Sequence, residues 1–268
     1  RVICMIQQNG RNGTLSFPAS VITLFTDPPY VQWHQSNAVQ SSPTPGSCYG
    51  SVEPVAAQLS NGSLLALMRT QMGELWQANS FDSGASLTVP APSGLASSDS
   101  PAFLLRLRNF GAGDALLLLW VNVRTIAPLP CAHDPTFDGG GVYSIRHVLH
   151  AALSLDGSGT LGSWVGHREV YRDPLMRAEP PPRGDIGGAY RYGTELRDGT
   201  VLVRTGQGVG RTQLLRIDPS WLLATSKTAD FSSSGAASTG NSPTAIASDE
   251  YVTTCMYYRR LPQRPDDP

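Results

Sequence analysis

Residues 53–69, EPVAAQLSNGSLLALMR, predict a β-hairpin: a strand, a tight turn and a second strand. Asn61-Gly62 is a strong hairpin signal, because both central residues of a type I′ turn need φ > 0. The first arm is mostly apolar, and the second arm, residues 64–68, is apolar without a break. Such an uninterrupted apolar strand is typical of a strand that is covered on both faces. The hairpin is therefore expected to lie inside a larger β-structure.

The open end of this hairpin carries two opposite charges. Folding the chain about Asn61-Gly62 brings Glu53 nearly opposite Arg69 and Thr70. Beside apolar arms, a carboxylate and a guanidinium cost free energy to desolvate unless they pair with each other or serve a ligand. Two interpretations follow from the hairpin alone: a structural ion pair that closes it, or part of a functional site.

The composition indicates an all-β protein with a sizeable core. The 268 residues are 40% apolar and only 15% charged, and they include 27 glycines and 21 prolines. Frequent Gly and Pro suit many short strands that are joined by turns. The net charge of −1 gives no electrostatic reason to expect nucleic acid or an anionic membrane as a partner. The longest apolar run, residues 115–121, has the length of a strand rather than of a membrane span.

The cysteines give no sign of a metal site. Cys4, Cys48, Cys131 and Cys255 lie far apart and form no CxxC pair, which argues against zinc, and no cofactor is predicted. The sequence leaves open whether these cysteines form one or two disulfides. The sequons at residues 12–14 and 61–63 favour a secreted or periplasmic location. Because the chain begins with Arg, we expect a mature form or a fragment of something longer.

A hairpin-sized unit recurs along the chain. Residues 59–65, LSNGSLL, match residues 196–202, LRDGTVL. Further strands are predicted at residues 2–6, 20–25, 74–80, 103–107, 115–123, 146–155, 214–217 and 251–258. Small antiparallel sheets with repeated turns favour a β-propeller over a β-sandwich of the same composition. We expect one domain over residues 1–268, with loops at 88–101, 125–142 and 171–189 and a flexible Ser/Ala-rich loop at 226–248.

Two turn motifs carry a family resemblance. Residues 80–87, SFDSGASL, and 154–159, SLDGSG, resemble the Asp-box (BNR) repeat, S-x-D-x-G-x-x-W, of the sialidase (neuraminidase) superfamily. In such a turn the aspartate accepts hydrogen bonds from backbone N–H groups, and the glycine supplies the φ that the turn needs. The first copy has Leu87 in place of Trp, and the second has an insertion before Trp164. The resemblance implies a six-bladed, sialidase-like β-propeller, complete or truncated in this chain.

Four polar residues follow the order in which sialidases place theirs at strand ends. A Glu begins a strand and an Arg follows sixteen residues later, here Glu53 and Arg69. A second Arg begins a strand that leads into an Asp-box, here Arg146, and a Tyr precedes a hairpin with L-x-D-G, here Tyr190. The resemblance covers roughly residues 50–218. It implies that Tyr190 is the nucleophile and Glu53 its base, and that Arg69 and Arg146 clamp a substrate carboxylate.

The chemistry of acidic sugars explains these residue types. A sialic acid carries a carboxylate beside its anomeric carbon, and guanidinium groups hold carboxylates through bidentate, charge-assisted hydrogen bonds. The same carboxylate would repel a carboxylate nucleophile, whereas a neutral tyrosine hydroxyl that is deprotonated by a neighbouring Glu avoids the repulsion. The resemblance therefore implies an exo-acting glycoside hydrolase that removes a terminal acidic sugar from a glycan or glycoconjugate.

The chain departs from the family pattern upstream of Glu53. Sialidases have a third clamp Arg and an acid Asp in their first blades, but only 52 residues precede Glu53 and they contain no R-I-P-like segment. Where the family has a Glu that supports the third Arg, residues 204–208 read RTGQG. Either the first blades are missing from this chain, or the site is built differently. The alternatives are a glycan-binding propeller without turnover, a related glycosidase for another sugar, and a polysaccharide lyase with a Tyr/His pair.

Other side chains compete for roles in this site. Tyr192, two residues after Tyr190, is the rival nucleophile. Asp185 and Asp134, the latter beside His133, are the candidate general acids. Four tryptophans are expected in the core rather than as sugar platforms, namely Trp76, Trp120, Trp164 and Trp221.

Overall fold

The computed structural model describes residues 1–8, 19–41, 50–59, 61–111, 113–123, 146, 148–173, 187–206 and 212–224. Across these residues the chain forms fourteen strands, grouped in four antiparallel sheets, and one short helix. This arrangement confirms the predicted all-β class.

The four sheets follow one another along the sequence. The first contains β1 (Val2–Gln8), β2 (Ser20–Thr26) and β3 (His34–Gln35), in that spatial order. The second contains β4 (Val52–Gln58), β5 (Leu64–Arg69), β6 (Glu74–Ser80) and β7 (Ala91–Ala96), also in order. The third contains β8 (Phe103–Arg106), β9 (Leu116–Trp120), β10 (Val148–Ser154) and β11 (Trp164–Arg172), again in order. The fourth contains β12 (Tyr192–Glu195), β13 (Val201–Thr205) and β14 (Gln213–Ile217), and α1 (Pro219–Leu223) follows it.

The β4–β5 hairpin forms as predicted, but its turn differs. β5 is buried along almost its whole length, as expected of a strand covered on both faces. The predicted type I′ turn is wrong, because Gly62 has a φ of 83° while Asn61 is not in the left-handed region. The Gly62 N–H donates to the Leu59 carbonyl at 3.0 Å, and the Leu59 N–H donates to the Ser63 carbonyl at 2.9 Å. The Asn61 side chain accepts from the Ser63 N–H at 3.0 Å, which stabilises this longer connection.

The same turn recurs in the β12–β13 hairpin, where the sequence repeats. Gly199 has a φ of 80°, and its N–H donates to the Leu196 carbonyl at 3.0 Å. Asp198 takes the place of the asparagine and accepts from the Thr200 N–H at 3.0 Å. The repeated sequence therefore folds into the same local structure in two different sheets.

The sequence prediction is wrong at two edge strands. Residues 88–101, expected to be a loop, contain β7, and the loop expected at 171–189 begins inside β11. β7 pairs irregularly with β6, and its Ser93 hydroxyl donates to the Leu75 carbonyl at 2.6 Å. Edge strands tolerate Pro, Gly and polar residues because one of their sides has no ladder partner. Composition therefore conceals these two strands.

Two Ser-x-Asp turns are stabilised by their own side chains. Ser80 Oγ donates to Asp82 Oδ1 at 2.8 Å and accepts from the Gly84 N–H at 2.8 Å. The turn at residues 154–159 repeats both hydrogen bonds, at 2.9 and 3.0 Å. The shared geometry explains why both stretches reverse the chain. Their assignment to the repeat of a particular family stays a prediction.

Apolar side chains fill the spaces between neighbouring sheets. One cluster joins the second and third sheets and includes Leu67, Leu118 and Trp120. Another joins the third and fourth sheets and includes Leu119 and Val203. Adjacent residues of β9 therefore face two different cores, which explains its uninterrupted run of apolar side chains.

The tryptophans follow the prediction with one exception. Trp76, Trp120 and Trp164 are buried, as expected. The prediction is wrong for Trp221, which is 39% exposed. The guanidinium carbon of Arg168 lies 4.8 Å from the centroid of the Trp221 ring. An indole stacked under a surface cation satisfies its apolar face without entering the core.

The described residues do not form a closed propeller, so the number of blades stays a prediction. Within the same residues, no helix has the length and the hydropathy that crossing a membrane requires. Several predicted features lie outside the described residues: the strand at 251–258, the flexible loop at 226–248, and Cys48, Cys131 and Cys255.

Candidate active site

Residues at strand ends of three sheets meet in one cluster. Glu53 lies at the start of β4, and Arg69 is the last residue of β5. Arg146 precedes β10, where it forms a parallel bridge with Gly187, and Tyr190 precedes β12. The fold therefore brings together four polar residues that are far apart in the sequence.

Glu53 connects the tyrosine to an arginine. The Tyr190 hydroxyl donates to Glu53 Oε1 at 2.9 Å. The other carboxylate oxygen, Oε2, accepts from Arg69 Nη1 at 2.6 Å. Glu53 is only 8% exposed. The ion pair expected at the end of the hairpin thus forms, but it belongs to a larger cluster that includes a phenol from another sheet.

Asp99 is a member of this cluster that the sequence analysis missed. Its Oδ1 accepts from Arg69 Nε at 2.5 Å, and its backbone carbonyl accepts from Arg146 Nη2 at 3.1 Å. Asp99 therefore orients both arginines. It lies between β7 and β8, and it is the only carboxylate residue between Asp82 and Asp114. That lone carboxylate in a Ser- and Pro-rich stretch is the signal that could have identified it.

The two arginines differ in their access to a ligand. The Arg69 side chain is 13% exposed, and its Nε and Nη1 are bound to carboxylates, which leaves Nη2 as a donor. Arg146 is 1% exposed, and its guanidinium carbon lies 5.8 Å from the centroid of the Tyr190 ring. Arg69 is therefore the accessible arginine, and Arg146 lies deeper, against the tyrosine ring.

Glu53 and Tyr190 both have an unusual backbone conformation. Their φ angles are 44° and 53°, in the left-handed region that non-glycine residues seldom adopt. At Glu53 this conformation accompanies a register shift between Val52 and Val55, and the Glu53 N–H donates to Gln7 Oε1 at 3.1 Å. A bulge of this kind re-aims a side chain near the end of a strand. Strain at both partners of one hydrogen bond is typical of a preorganised site.

Burial and charge set the protonation of the cluster. Burial, and then the Glu53 carboxylate, raise the pKa of Tyr190 to about 12, although Arg69 and Arg146 oppose this shift in part. Burial acts to lower the pKa of Arg69, but the charges of Asp99 and Glu53 outweigh it and hold that pKa well above its ordinary value. At neutral pH the site therefore contains a neutral phenol beside a charged guanidinium.

Tyr192, the rival nucleophile, does not join this cluster. Tyr192 is in β12, opposite Arg204, and it is 44% exposed, so it is Tyr190 that meets Glu53. Asp134 and Asp185, the predicted general acids, lie outside the described residues, as does His133.

This arrangement can transfer a proton and bind an anion. A phenol at 2.9 Å from a carboxylate is within reach of proton transfer, as in a nucleophile and its base. The remaining donor of Arg69 suits an oxyanion. Within the part of the chain that the structure describes, no group of His, Cys, Asp and Glu is arranged to hold a metal ion.

The fold is similar to that of solved sialidases. NanB, in a structure with optactamide, aligns with a TM-score of 0.51 and 14% identity, over 76% of this chain and 28% of that chain. A mutant of the NanB sialidase from Streptococcus pneumoniae aligns with a TM-score of 0.50 and 15% identity, over 75% of this chain and 28% of that chain. A protein of unknown function from Dyadobacter fermentans aligns with a TM-score of 0.51 and 16% identity, over 80% of this chain and 48% of that chain.

These comparisons establish a sialidase-like fold, and the likeness is one of fold alone. The chain spans 28% of the NanB chains and 48% of the Dyadobacter chain. A scan against protein-family models found no match, and a search of the curated proteins found none either.

Proposed function

We propose that this chain acts as an exo-acting, sialidase-like glycoside hydrolase on a terminal acidic sugar. The observation that carries the proposal is the hydrogen bond of 2.9 Å between the Tyr190 hydroxyl and Glu53 Oε1. A tyrosine paired with a glutamate is the nucleophile that a glycosidase needs when its substrate carries a carboxylate beside the reacting carbon. The sialidase-like fold supports the same proposal.

The first chemical step forms one bond and breaks one. Glu53 Oε1 accepts the proton of the Tyr190 hydroxyl as the phenol oxygen attacks the anomeric carbon, and the bond to the leaving group breaks. Because the pKa of Tyr190 is about 12, the phenol stays neutral until the substrate is in place. A neutral nucleophile can approach beside the substrate carboxylate, whereas an anionic one would be repelled.

The arginines are proposed to hold the substrate carboxylate. Arg69 Nη2 is the donor that remains after Glu53 and Asp99 have taken the other nitrogens. Arg146 adds positive charge over the face of the Tyr190 ring, and its guanidinium carbon lies 5.8 Å from the ring centroid. A carboxylate held by these charges would place the anomeric carbon next to the tyrosine oxygen.

The leaving group needs a proton, and water must then release the sugar from the tyrosine. Asp134 and Asp185 remain the proposed sources of that proton. Glu53, protonated in the first step, is the proposed group that returns its proton to the tyrosine oxygen as water attacks the anomeric carbon. The carboxylate that protonated the leaving group takes a proton from that water and is restored. An aryl glycoside, whose leaving group is already acidic, depends least on the general acid and is the substrate of choice for a first assay.

A fluorogenic aryl sialoside with Tyr190→Phe tests this proposal. We expect the substitution to lower turnover at least about a hundredfold, because it removes the nucleophile, while calorimetry shows that free sialic acid still binds. Tyr192→Phe, an equally small change two residues away at an exposed position, is the control and should retain activity. Equal activity of the wild type and Tyr190→Phe would contradict the proposal.

The second candidate is a glycan-binding protein without turnover. Among the described residues, the cluster offers Arg69 Nη2 to an anion, while both of its carboxylates, Glu53 and Asp99, pair with Arg69 and are not free to protonate a leaving group, which favours binding over turnover. In this case the wild-type protein binds sialic acid but releases no fluorophore, and Tyr190→Phe changes affinity rather than rate.

A further inference from the structure

Arg191, the residue after the candidate nucleophile, is a buried cation. Only 3% of it is exposed. Its Nη1 donates to the carbonyl of Pro101, in the segment that joins β7 to β8. Its Nε and Nη2 are also buried but have no hydrogen-bond partner.

The two Arg191 nitrogens without a hydrogen-bond partner form one edge of the guanidinium group. The Nε–H and an Nη2–H point in the same direction, side by side, with a spacing that matches the two oxygens of a carboxylate. Arg69 differs, because Asp99 already occupies its Nε. Arg191 therefore keeps free the edge that binds planar oxyanions in a bidentate manner.

The charge of Arg191 has no counter-ion among the described residues. It forms no ion pair with a described carboxylate, and the charge that shifts its pKa is that of another cation, Arg146. Burial, and then this neighbouring charge, lower the pKa of Arg191 to about 9. A buried, unpaired cation is costly, so its presence in a folded protein favours an anionic occupant.

A second buried donor lies in the same segment. Ser100 Oγ is buried and has no hydrogen-bond partner. The residues on either side of Ser100, Asp99 and Pro101, use their carbonyls to hold Arg146 and Arg191. Buried donors without partners, on Ser100 and Arg191, therefore lie together at the segment 99–101.

We propose that the Nε–Nη2 edge of Arg191 is a carboxylate-binding site at the segment 99–101, whose carbonyls also hold Arg146. Its occupant is either a small free carboxylate or the carboxylate of the acidic sugar, and the second case rests on the proposed function. In that case Arg191 is a specificity residue that supplements Arg69 and Arg146. The binding step itself breaks no covalent bond and transfers no proton.

Acetate is the probe for the site itself. We expect acetate, at constant ionic strength, to raise the thermal unfolding midpoint of the full chain in a saturable manner. It should also shift one slowly exchanging arginine Nε–H signal in a spectrum of protein with ¹⁵N-labelled arginine. Arg191→Met should remove that signal and weaken the apparent affinity for acetate roughly tenfold or more, since it removes a bidentate, charge-assisted pair.

Two further variants keep this test decisive. Arg216→Met removes an exposed arginine that pairs with Asp198, and it should respond to acetate as the wild type does. Arg191→Lys keeps the charge but loses the parallel donors, so it serves if the methionine variant fails to fold, and its affinity should be intermediate. Equal acetate responses in the wild type and the Arg191 variants, or no saturable response in the wild type, would overturn the proposal.

Competition separates the two sources of the carboxylate. If the sugar supplies it, sialic acid displaces acetate from the wild type, whereas the methyl ester of sialic acid does not. If the occupant is a free carboxylate, neither sugar displaces acetate. The acetate measurement involves no glycoside, so the absence of sialoside turnover contradicts the proposed function and leaves this site intact.

Discussion

Glu53 and Tyr190 form one hydrogen bond from two backbones that are both in the left-handed region. Each such residue costs on the order of 1–3 kcal/mol, and it persists only where the surrounding structure determines it. At Glu53 the Gln7 side chain holds the strained N–H. A purely structural ion pair between Glu53 and Arg69 would not require the tyrosine to be strained as well.

The first residue-level prediction concerns the titration of Tyr190. The pKa of about 12 arises first from burial and then from the Glu53 charge, so Glu53→Gln should lower it while leaving it above the ordinary value of 10.0. The folded protein holds this proton more tightly than the unfolded chain does. Stability should therefore fall as the pH rises from about 10 towards 12, and less steeply in Glu53→Gln.

The measurement is the ultraviolet absorbance of phenolate as a function of pH, with Tyr190→Phe subtracted from each protein. A wild-type Tyr190 that ionises like a free tyrosine, or a Glu53→Gln variant with an unchanged pKa, would show that the carboxylate does not control this phenol.

The second residue-level prediction compares a buried ion pair with an exposed one. Asp99→Asn removes one of the two carboxylates of Arg69, and we expect a loss of about 2 kcal/mol in the free energy of unfolding. This loss of stability should be smaller than if Arg69 were left buried without any carboxylate, because Glu53 still pairs with it. Asp27→Asn, which breaks the exposed pair with Arg1, should have a much smaller effect.

Urea unfolding of the two variants measures this difference. Similar losses for Asp99→Asn and Asp27→Asn would mean that the Asp99 contact with Arg69 contributes no more than a surface ion pair.

At the scale of the elements, the site depends on glycines that let two segments approach closely. Gly187 bridges Arg146 and has a φ of 129°, and a Cβ at this position would lie 2.3 Å from the Arg146 carbonyl oxygen. The next residue, Gly188, donates its N–H to the same oxygen at 2.6 Å. This contact fixes Arg146 relative to the chain that leads into Tyr190.

Gly187→Ala is therefore expected to destabilise the protein by about 2 kcal/mol or more and to weaken binding of sialic acid. Gly162→Ala is the matched control, because Gly162 also has a positive φ, 91°, but no neighbouring atom within 4 Å. The control should lose about 1 kcal/mol from backbone strain alone and keep its binding. Thermal unfolding and calorimetry report the two effects, and equal results for both glycines would contradict the proposed role of the close contact.

The elements also show what sequence patterns can and cannot predict. β5, β6 and β9 are central strands, and their apolar runs predicted them within a few residues. β7 and β11 are edge strands, where Pro, Gly and charged residues are tolerated, so their composition resembles a loop. Missing β7 also meant missing Asp99, which follows that strand.

The site was predictable only in part, for a related reason. Glu53, Arg69, Arg146 and Tyr190 follow a family order, so the resemblance indicated them together. Asp99 and Arg191 belong to no such pattern. Their roles depend on which carbonyls and nitrogens meet after the sheets have packed, and no local spacing in the sequence encodes that packing.

At the scale of the whole molecule, two apolar clusters hold three sheets in the positions that the site requires. β9 contributes to both clusters, with Leu118 facing the second sheet and Leu119 facing the fourth. Since Glu53 and Tyr190 lie on the second and fourth sheets, the spacing between them is set through β9 and its neighbours. The site is therefore sensitive to packing far from any polar residue.

Leu118→Ala tests whether β9 carries the packing between the sheets. We expect a loss of about 3 kcal/mol in the free energy of unfolding, because Leu118 is fully buried and a cavity remains. Leu214→Ala removes the same atoms from a side chain that is 65% exposed, and it should change stability by no more than about 0.5 kcal/mol. Urea unfolding distinguishes these outcomes, and comparable losses would show that β9 does not carry the packing.

If Tyr190 is the nucleophile of a glycosidase, its phenol oxygen carries the sugar in a covalent intermediate that can be trapped. A sialosyl fluoride with a second fluorine beside the anomeric carbon slows both chemical steps, so that a glycosyl-enzyme accumulates. Intact mass and peptide mapping should then place one sugar on the peptide that contains Tyr190, in the wild type and in Tyr192→Phe but not in Tyr190→Phe. A label on any other residue, or an unlabelled wild-type protein, would show that Tyr190 is not the nucleophile.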